Sequence, residues 1–119
     1  MSQRRSILGL IVLVVAVGGA TQWWAASRED RLGAQVAREA GPGDIQMLSS
    51  TTCGICTVAR RWFREHEVRF DECFIETDAA CAARFEAMRA PGTPVIVVRG
   101  RPQLGFDPQR LLRALQPPT

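Results

Sequence analysis

The strongest pattern along the chain is an almost unbroken apolar run over residues 7–26, with Arg4 and Arg5 before it and Arg28, Glu29, Asp30 and Arg31 after it. At 1.5 Å per residue, a helix of that length crosses the hydrocarbon of a bilayer. Trp23 and Trp24 fall where an interfacial aromatic belt sits, and the leading arginines favour a cytoplasmic amino terminus. The run therefore predicts a transmembrane anchor at 7–26 behind a cytoplasmic segment at 1–6, with the remainder outside the cytoplasm. The alternative is a signal peptide cleaved near Gly18-Gly19-Ala20, which exports the same residues and leaves them free in the periplasm. A buried core helix is excluded, because so small a domain could not cover a helix that is apolar all round.

Residues 27–43 are polar and helix-permissive, with Leu32, Val36 and Ala40 at helical spacing, and Gly41-Pro42-Gly43 ends them abruptly. A solvated juxtamembrane linker is the expectation. From Asp44 the periodicity changes. Residues 45–49 read as a short strand, and 56–66 as an amphipathic helix with Val58, Ala59, Trp62 and Phe63 apolar on a charged background. Residues 68–75 read as a second strand, with Val68 and Phe70 in phase. Residues 79–89 are helical, with Cys81, Phe85 and Met88 on one face. The run Val95-Ile96-Val97-Val98 suits a strand covered on both faces, and 101–104 can pair with it across Gly100. Asp107-Pro108 supplies an N-cap followed by proline at the first helical position. The order β-α-β-α-β-β-α over residues 44–116 predicts an α/β domain: a four-stranded mixed sheet flanked by helices.

The length of 119 residues allows one small domain with an appendage. Every basic side chain is arginine, and the formal charge is only +3, with Arg4 and Arg5 ahead of the apolar run. The remainder is close to neutral, which does not support a nucleic-acid partner. Four cysteines, at 53, 56, 73 and 81, are many for a small cytosolic domain but ordinary for an exported one.

Cys53-Gly54-Ile55-Cys56 stands between the first strand and the first helix of this domain. That spacing puts one thiol at a helix amino terminus and the other a turn below on the same face. Unpaired backbone N–H groups and the helix dipole favour a thiolate at Cys53, and a thiolate is what attacks a disulfide. Cys53 then reads as the nucleophile and Cys56 as the resolving thiol. Thr51, Thr52 and Gly54 suit a tight turn that exposes Cys53. The same spacing serves zinc sites, but the separation of Cys73 from Cys81 is too long for the usual second ligand pair, and no metal site is expected.

Three stretches together resemble the glutaredoxin branch of the thioredoxin superfamily: Thr52-Cys53-Gly54-Ile55-Cys56, Gly92-Thr93-Pro94-Val95 and Gly105-Phe106-Asp107-Pro108. The resemblance covers 44–116 and implies a thioredoxin-like fold and thiol–disulfide oxidoreductase activity. It implies a cis Pro94 facing the dithiol, with the backbone there pairing with substrate. It also implies substrate contacts from Thr52, Gly54, Ile55, Thr93 and Val95, and a place for the far end of glutathione at Gly105, Phe106 and Asp107. Asp107 is equally explained as an N-cap. Two departures weigh against glutathione as co-substrate and toward a protein disulfide. Ser49-Ser50-Thr51 carries no basic residue ahead of the first cysteine, and the glycine pair before the last helix is reduced to Leu104-Gly105. The partners implied are disulfide or thiol proteins at the membrane surface and an upstream membrane redox protein, with no bound cofactor.

Cys73 closes the second strand and Cys81 opens the second helix, so the connection between them lets the two bridge. In an exported protein a structural disulfide is the expectation, against two buried thiols or a relay to Cys53. His66 is expected at a helix carboxyl end or in solvent, Arg60 and Arg61 on a solvated face, and Trp62 and Phe63 in the core. A non-catalytic thioredoxin-fold interaction module and a cysteine-based zinc module are the functional alternatives.

Overall fold

Helix α1, Ser2–Glu39, belongs to two separate units of the chain, Met1–Arg31 and the part from Leu32 onward. The computed structural model describes residues 1–117. In the first unit the apolar side chains, among them Ile7, Leu10, Val14 and Trp23, are exposed on every side of the helix. This helix is long and apolar enough to cross a membrane.

In the second unit the end of α1 is part of the folded domain, which corrects the linker expectation for 32–40. Val36 and Ala40 are buried in the main core with Leu32 and Ala37 against them. The helical spacing of Leu32, Val36 and Ala40 is thus a docked stripe, since three apolar side chains on one face gain more from burial than from solvent. Arg99 holds this end in place by donating to the carbonyls of Glu39 at 3.4 Å and Leu115 at 2.7 Å and to the Asp44 carboxylate at 3.3 Å.

The domain continues as β1 (Ile45–Ser49), α2 (Gly54–Glu65), β2 (Asp71–Phe74), α3 (Ala79–Ala87), β3 (Val95–Val98), β4 (Arg101–Leu104) and α4 (Pro108–Leu115). The sheet order is β2-β1-β3-β4, with β1 parallel to β2 and the other pairs antiparallel. Side chains alternate across the strands. Ile45, Met47, Ile96 and Val98 meet the end of α1, α2 and α4 on one face, while Leu48, Val95 and Val97 meet Cys81, Phe85 and Met88 on the other. Arg99 and Gly100, both with positive φ, form the two-residue β3–β4 turn, whose twist matches the strands it joins. Pro102 sits on β4, an edge strand, where a missing N–H is tolerated.

The second strand is shorter than its sequence pattern. Glu67 takes a positive φ, and the Val68 N–H turns back to the Phe63 carbonyl at 2.8 Å. Val68 and Phe70 therefore fill the core from a loop, Phe70 lying 4.8 Å from the Phe63 ring, without joining the ladder. The consequence of topology that matters for function is at one end of the sheet. β1, β2 and β4 finish there and β3 starts there, so the loops 50–53, 75–78, 90–94 and 105–107 share that end.

Candidate dithiol site

Strand β1 delivers the chain to a turn in which the Cys53 N–H returns to the Ser50 carbonyl at 3.4 Å. Cys53 is the N-cap of α2, and its Sγ accepts the Cys56 backbone N–H at 3.0 Å. A sulfur in that position meets the helix dipole and one of the donors that the first turn leaves free. Cys53 and Cys56 are joined as a disulfide, with Cα atoms 5.3 Å apart. Cys53 is half-exposed, whereas Cys56 is 0% exposed. The turn lies wholly before Gly54, which is already helical and where an added Cβ would meet nothing, so glycine is not needed there for conformation.

The buried stripe of α2 is Cys56, Ala59, Trp62 and Phe63. Val58 lies off it and is 55% exposed, contrary to the helix face assigned from sequence, and it shares an outward face one turn on from Ile55, 54% exposed. Two exposed aliphatic side chains thus stand beside the dithiol; Val58 was not foreseen there, because an apolar residue near an apolar stripe reads as core.

The Thr93–Pro94 peptide bond is cis. Pro94 is buried, and its carbonyl accepts the N–H of Gly105 at 2.9 Å, where Gly105 takes a positive φ of 80°. Thr93 is half-buried, lies outside the strand pairing, and is followed by Val95, whose side chain is 2% exposed among Leu48, Cys81 and Val97. Val95 therefore presents no side chain to a groove. Phe106 also turns inward, edge-on to Trp62 at 5.6 Å and Phe63 at 5.7 Å. The Asp107 carboxylate caps α4, accepting from Gln109 at 3.0 Å and Arg110 at 3.4 Å. Of the residues that the glutaredoxin resemblance assigned to substrate, Thr52, Gly54, Ile55 and Thr93 retain accessible surface near the dithiol loop, whereas Val95 and Phe106 serve the core.

Arg60 is not on a solvated face. It donates from Nε and Nη2 to both oxygens of Glu72, each at 2.7 Å, and Glu72 also accepts from the wholly buried Ser49 hydroxyl at 2.7 Å. Burial pushes the Glu72 carboxyl upward, but the hydrogen bonds of Arg60 and Ser49 outweigh it and hold the group below its usual range. The same Glu72 hydrogen bond holds the Arg60 guanidinium on. This network ties α2, one turn past Cys56, to β1 and β2. His66, the C-cap of α2, packs at a tilt against Trp62 with ring centroids 4.6 Å apart and meets the helix backbone at Gly33, where a Cβ would strike its ring.

Glu76 follows β2 and was not singled out from sequence, since nothing in its spacing relates it to Cys53. Its carboxylate accepts from the Ser50 hydroxyl and, with both oxygens at 3.2 Å, from the Thr51 N–H. The Ser50 hydrogen bond lowers its pKa. Cys73 and Cys81 form the second disulfide, Cα atoms 6.0 Å apart, with Cys81 buried on the α3 face and its N–H capped by Asp78 at 3.1 Å. Each cysteine pair is bridged within itself.

Residues 45–102 match the glutaredoxin family model. This stretch is a glutaredoxin-like domain with a thioredoxin-like fold. The match takes in the dithiol and the cis-proline loop of the glutaredoxin-like domain and stops short of Gly105, Phe106 and Asp107. No curated protein matches the chain. Among solved structures, the thioredoxin-like protein BC3987 superposes with a TM-score of 0.52 at 22% identity, covering 59% of this chain and 97% of that one. A mutant of the same protein gives 0.55 at 23% identity, covering 61% and 95%. A mutated buckwheat glutaredoxin gives 0.49 at 16% identity, covering 75% and 92%. The likeness to BC3987 shows the thioredoxin-like fold of the glutaredoxin-like domain, and the cysteine pair in it supports a thiol redox role.

Proposed function

We propose that the glutaredoxin-like domain is a thiol–disulfide oxidoreductase that acts on protein disulfides outside the cytoplasm, held at the inner membrane by the helix at 7–26. The observation that carries this reading is the inequality of the two sulfurs: Cys53 half-exposed at a helix amino terminus with its Sγ on a backbone N–H, and Cys56 wholly covered beneath it. In the reduced domain that N–H and the helix dipole stabilise a Cys53 thiolate.

The thiolate attacks one sulfur of a substrate disulfide, forming a mixed disulfide and releasing the other substrate sulfur as a thiolate that takes up a proton. Cys56 loses its proton and attacks the Cys53 sulfur, releasing the second substrate thiol and leaving the Cys53–Cys56 disulfide. Two electrons pass to substrate, and a dithiol protein upstream at the membrane restores the domain; the reverse sequence oxidises a substrate dithiol. Thr52, Gly54, Ile55 and the Thr93–Pro94 backbone would flank the bound disulfide, joined by Val58. Glutathione is a candidate co-substrate, and Asp107, engaged as a cap, gives it little support.

Replacing Cys56 by serine tests the chemistry. The variant should accumulate mixed disulfides between Cys53 and membrane-proximal proteins that vanish on reduction; a non-catalytic interaction module would give none. Labelling Cys53 in intact cells with a membrane-impermeant alkylating reagent tests location, since a domain facing the cytoplasm would be protected.

A further inference from the structure

The connection between β2 and α3 is closed at both ends by the Cys73–Cys81 bridge, and from within that ring Glu76 reaches the loop that presents Cys53. Three facts make this contact more than a surface hydrogen bond. Glu76 accepts from two donors of the same turn, the Ser50 hydroxyl and the Thr51 N–H, so it fixes that turn two residues before the nucleophile. The ion pairs among the described residues are Arg60–Glu72 and Arg99–Asp44, so Glu76 takes part in neither. The topology brings the Glu76 loop and the dithiol loop to the same end of the sheet.

We propose that Glu76 is a positioning residue for Cys53: it braces the Ser50–Thr51 turn and sets a negative charge at the rim of the dithiol, so that disulfides flanked by neutral or cationic groups react in preference to anionic ones. The proposal rests on the dithiol reading above and gives it a substrate class. A carboxylate on the dithiol loop opposes formation of the Cys53 thiolate and repels a second anion approaching it. The loops that share this end of the sheet carry Glu76, Asp78 and Asp107 and no cation, Asp78 capping α3 and Asp107 capping α4. On α2, Arg60 is paired with Glu72, and the exposed Arg61, Arg89 and Arg110, outside those loops, form no ion pair and face solvent screening. Glutathione disulfide, whose glutamyl and glycyl carboxylates outnumber its amines, is thus a disfavoured partner on electrostatic grounds alone.

The test uses the full chain in neutral detergent micelles, as wild type, Glu76→Gln and Glu76→Ala. Two quantities are read: the pH dependence of Cys53 alkylation, and the ratio of reduction rates for glutathione disulfide, an anionic probe, and cystamine, a cationic one. Glu76→Gln keeps an acceptor for Ser50 and Thr51 but removes the charge. It should move the pH dependence of Cys53 alkylation to lower pH and raise the glutathione-to-cystamine ratio by roughly threefold at low ionic strength, the difference shrinking in salt. Glu76→Ala should shift the ratio in the same direction. An unchanged pH dependence and ratio in Glu76→Gln, with wild type active, would overturn the proposal alone. So would a ratio that moves only in Glu76→Ala, which reduces the residue to a brace. A wild-type chain that reduces neither probe would instead sink the dithiol reading itself.

Discussion

Glu72 shows how much a single side chain can hold in a domain this small. Its two oxygens take two guanidinium hydrogen bonds and one hydroxyl, and its side chain is 12% exposed, so loss of the charge leaves Arg60 half-buried without a counterion. Glu72→Gln is expected to lower stability at pH 7 by about 2 kcal/mol, read as a shift in urea midpoint. The pH dependence has a definite sign. The unfolded carboxyl titrates near 4.5 and the folded one lower, so the stabilisation is complete above the unfolded value and is lost as pH falls through the folded one. The gap between wild type and Glu72→Gln should therefore be widest near neutrality and narrow as the solution is acidified below about pH 4. A gap independent of pH would mean that the ion pair contributes nothing and that the substitution acts through packing.

At the scale of elements, the contact between the end of α1 and the end of α2 is set by a glycine. Gly33 is buried, and a Cβ there would collide with the His66 ring, itself packed against Trp62. Alanine is the better helix former by about 1 kcal/mol, yet Gly33→Ala should destabilise the domain by about 1–2 kcal/mol, because the helices must separate or His66 must leave its place against Trp62. Adding His66→Ala should recover most of that loss, a coupling that a double-mutant cycle of melting measurements would detect. Removing the other tie between elements, by changing Cys73 and Cys81 together to serine, is expected to lower stability by roughly 2.5 kcal/mol, from the loop entropy returned to the unfolded chain. These contacts also mark what the sequence could and could not convey. Every strand and helix of 44–116 was legible, as were the two-faced burial of Val95-Ile96-Val97-Val98 and the Asp107 cap, because periodicity and capping are local. The dithiol was legible for the same reason, two sulfurs one helical turn apart. What was not legible depends on partners set by strand register. Arg60 looks solvated until β2 places Glu72 beside it; Glu76 has no visible relation to Cys53 until β1 and β2 end together; and Leu32, Val36 and Ala40 form a stalk or a docked stripe according to whether a core is there to receive them.

At the scale of the whole chain, the function proposed asks two things of one continuous helix: an apolar stretch that suits a membrane and a final two turns that belong to the redox domain. These demands separate at Arg31 and Leu32, and deletion from the amino terminus can test where. A chain beginning at Leu32 retains Val36, Ala40 and the Glu39 carbonyl that Arg99 engages, so it should fold, stay in the soluble fraction and reduce cystamine as the full chain does. A chain beginning at Asp44 has the complete sheet and the dithiol but leaves the core beside Ile45, Trp62 and Leu115 uncovered. Deleting one fully buried valine side chain alone is worth about 2 kcal/mol, and here a whole helical turn goes with it, against a total stability of about 5–15 kcal/mol for a domain of ordinary size. That chain should unfold at far lower urea or fail to accumulate, despite containing all of residues 45–102. Equal melting of the two truncated chains would show that the end of α1 is a passenger on the domain. The linker would then begin where the sequence pattern put it, and the tether would set the position of the dithiol without sharing its core.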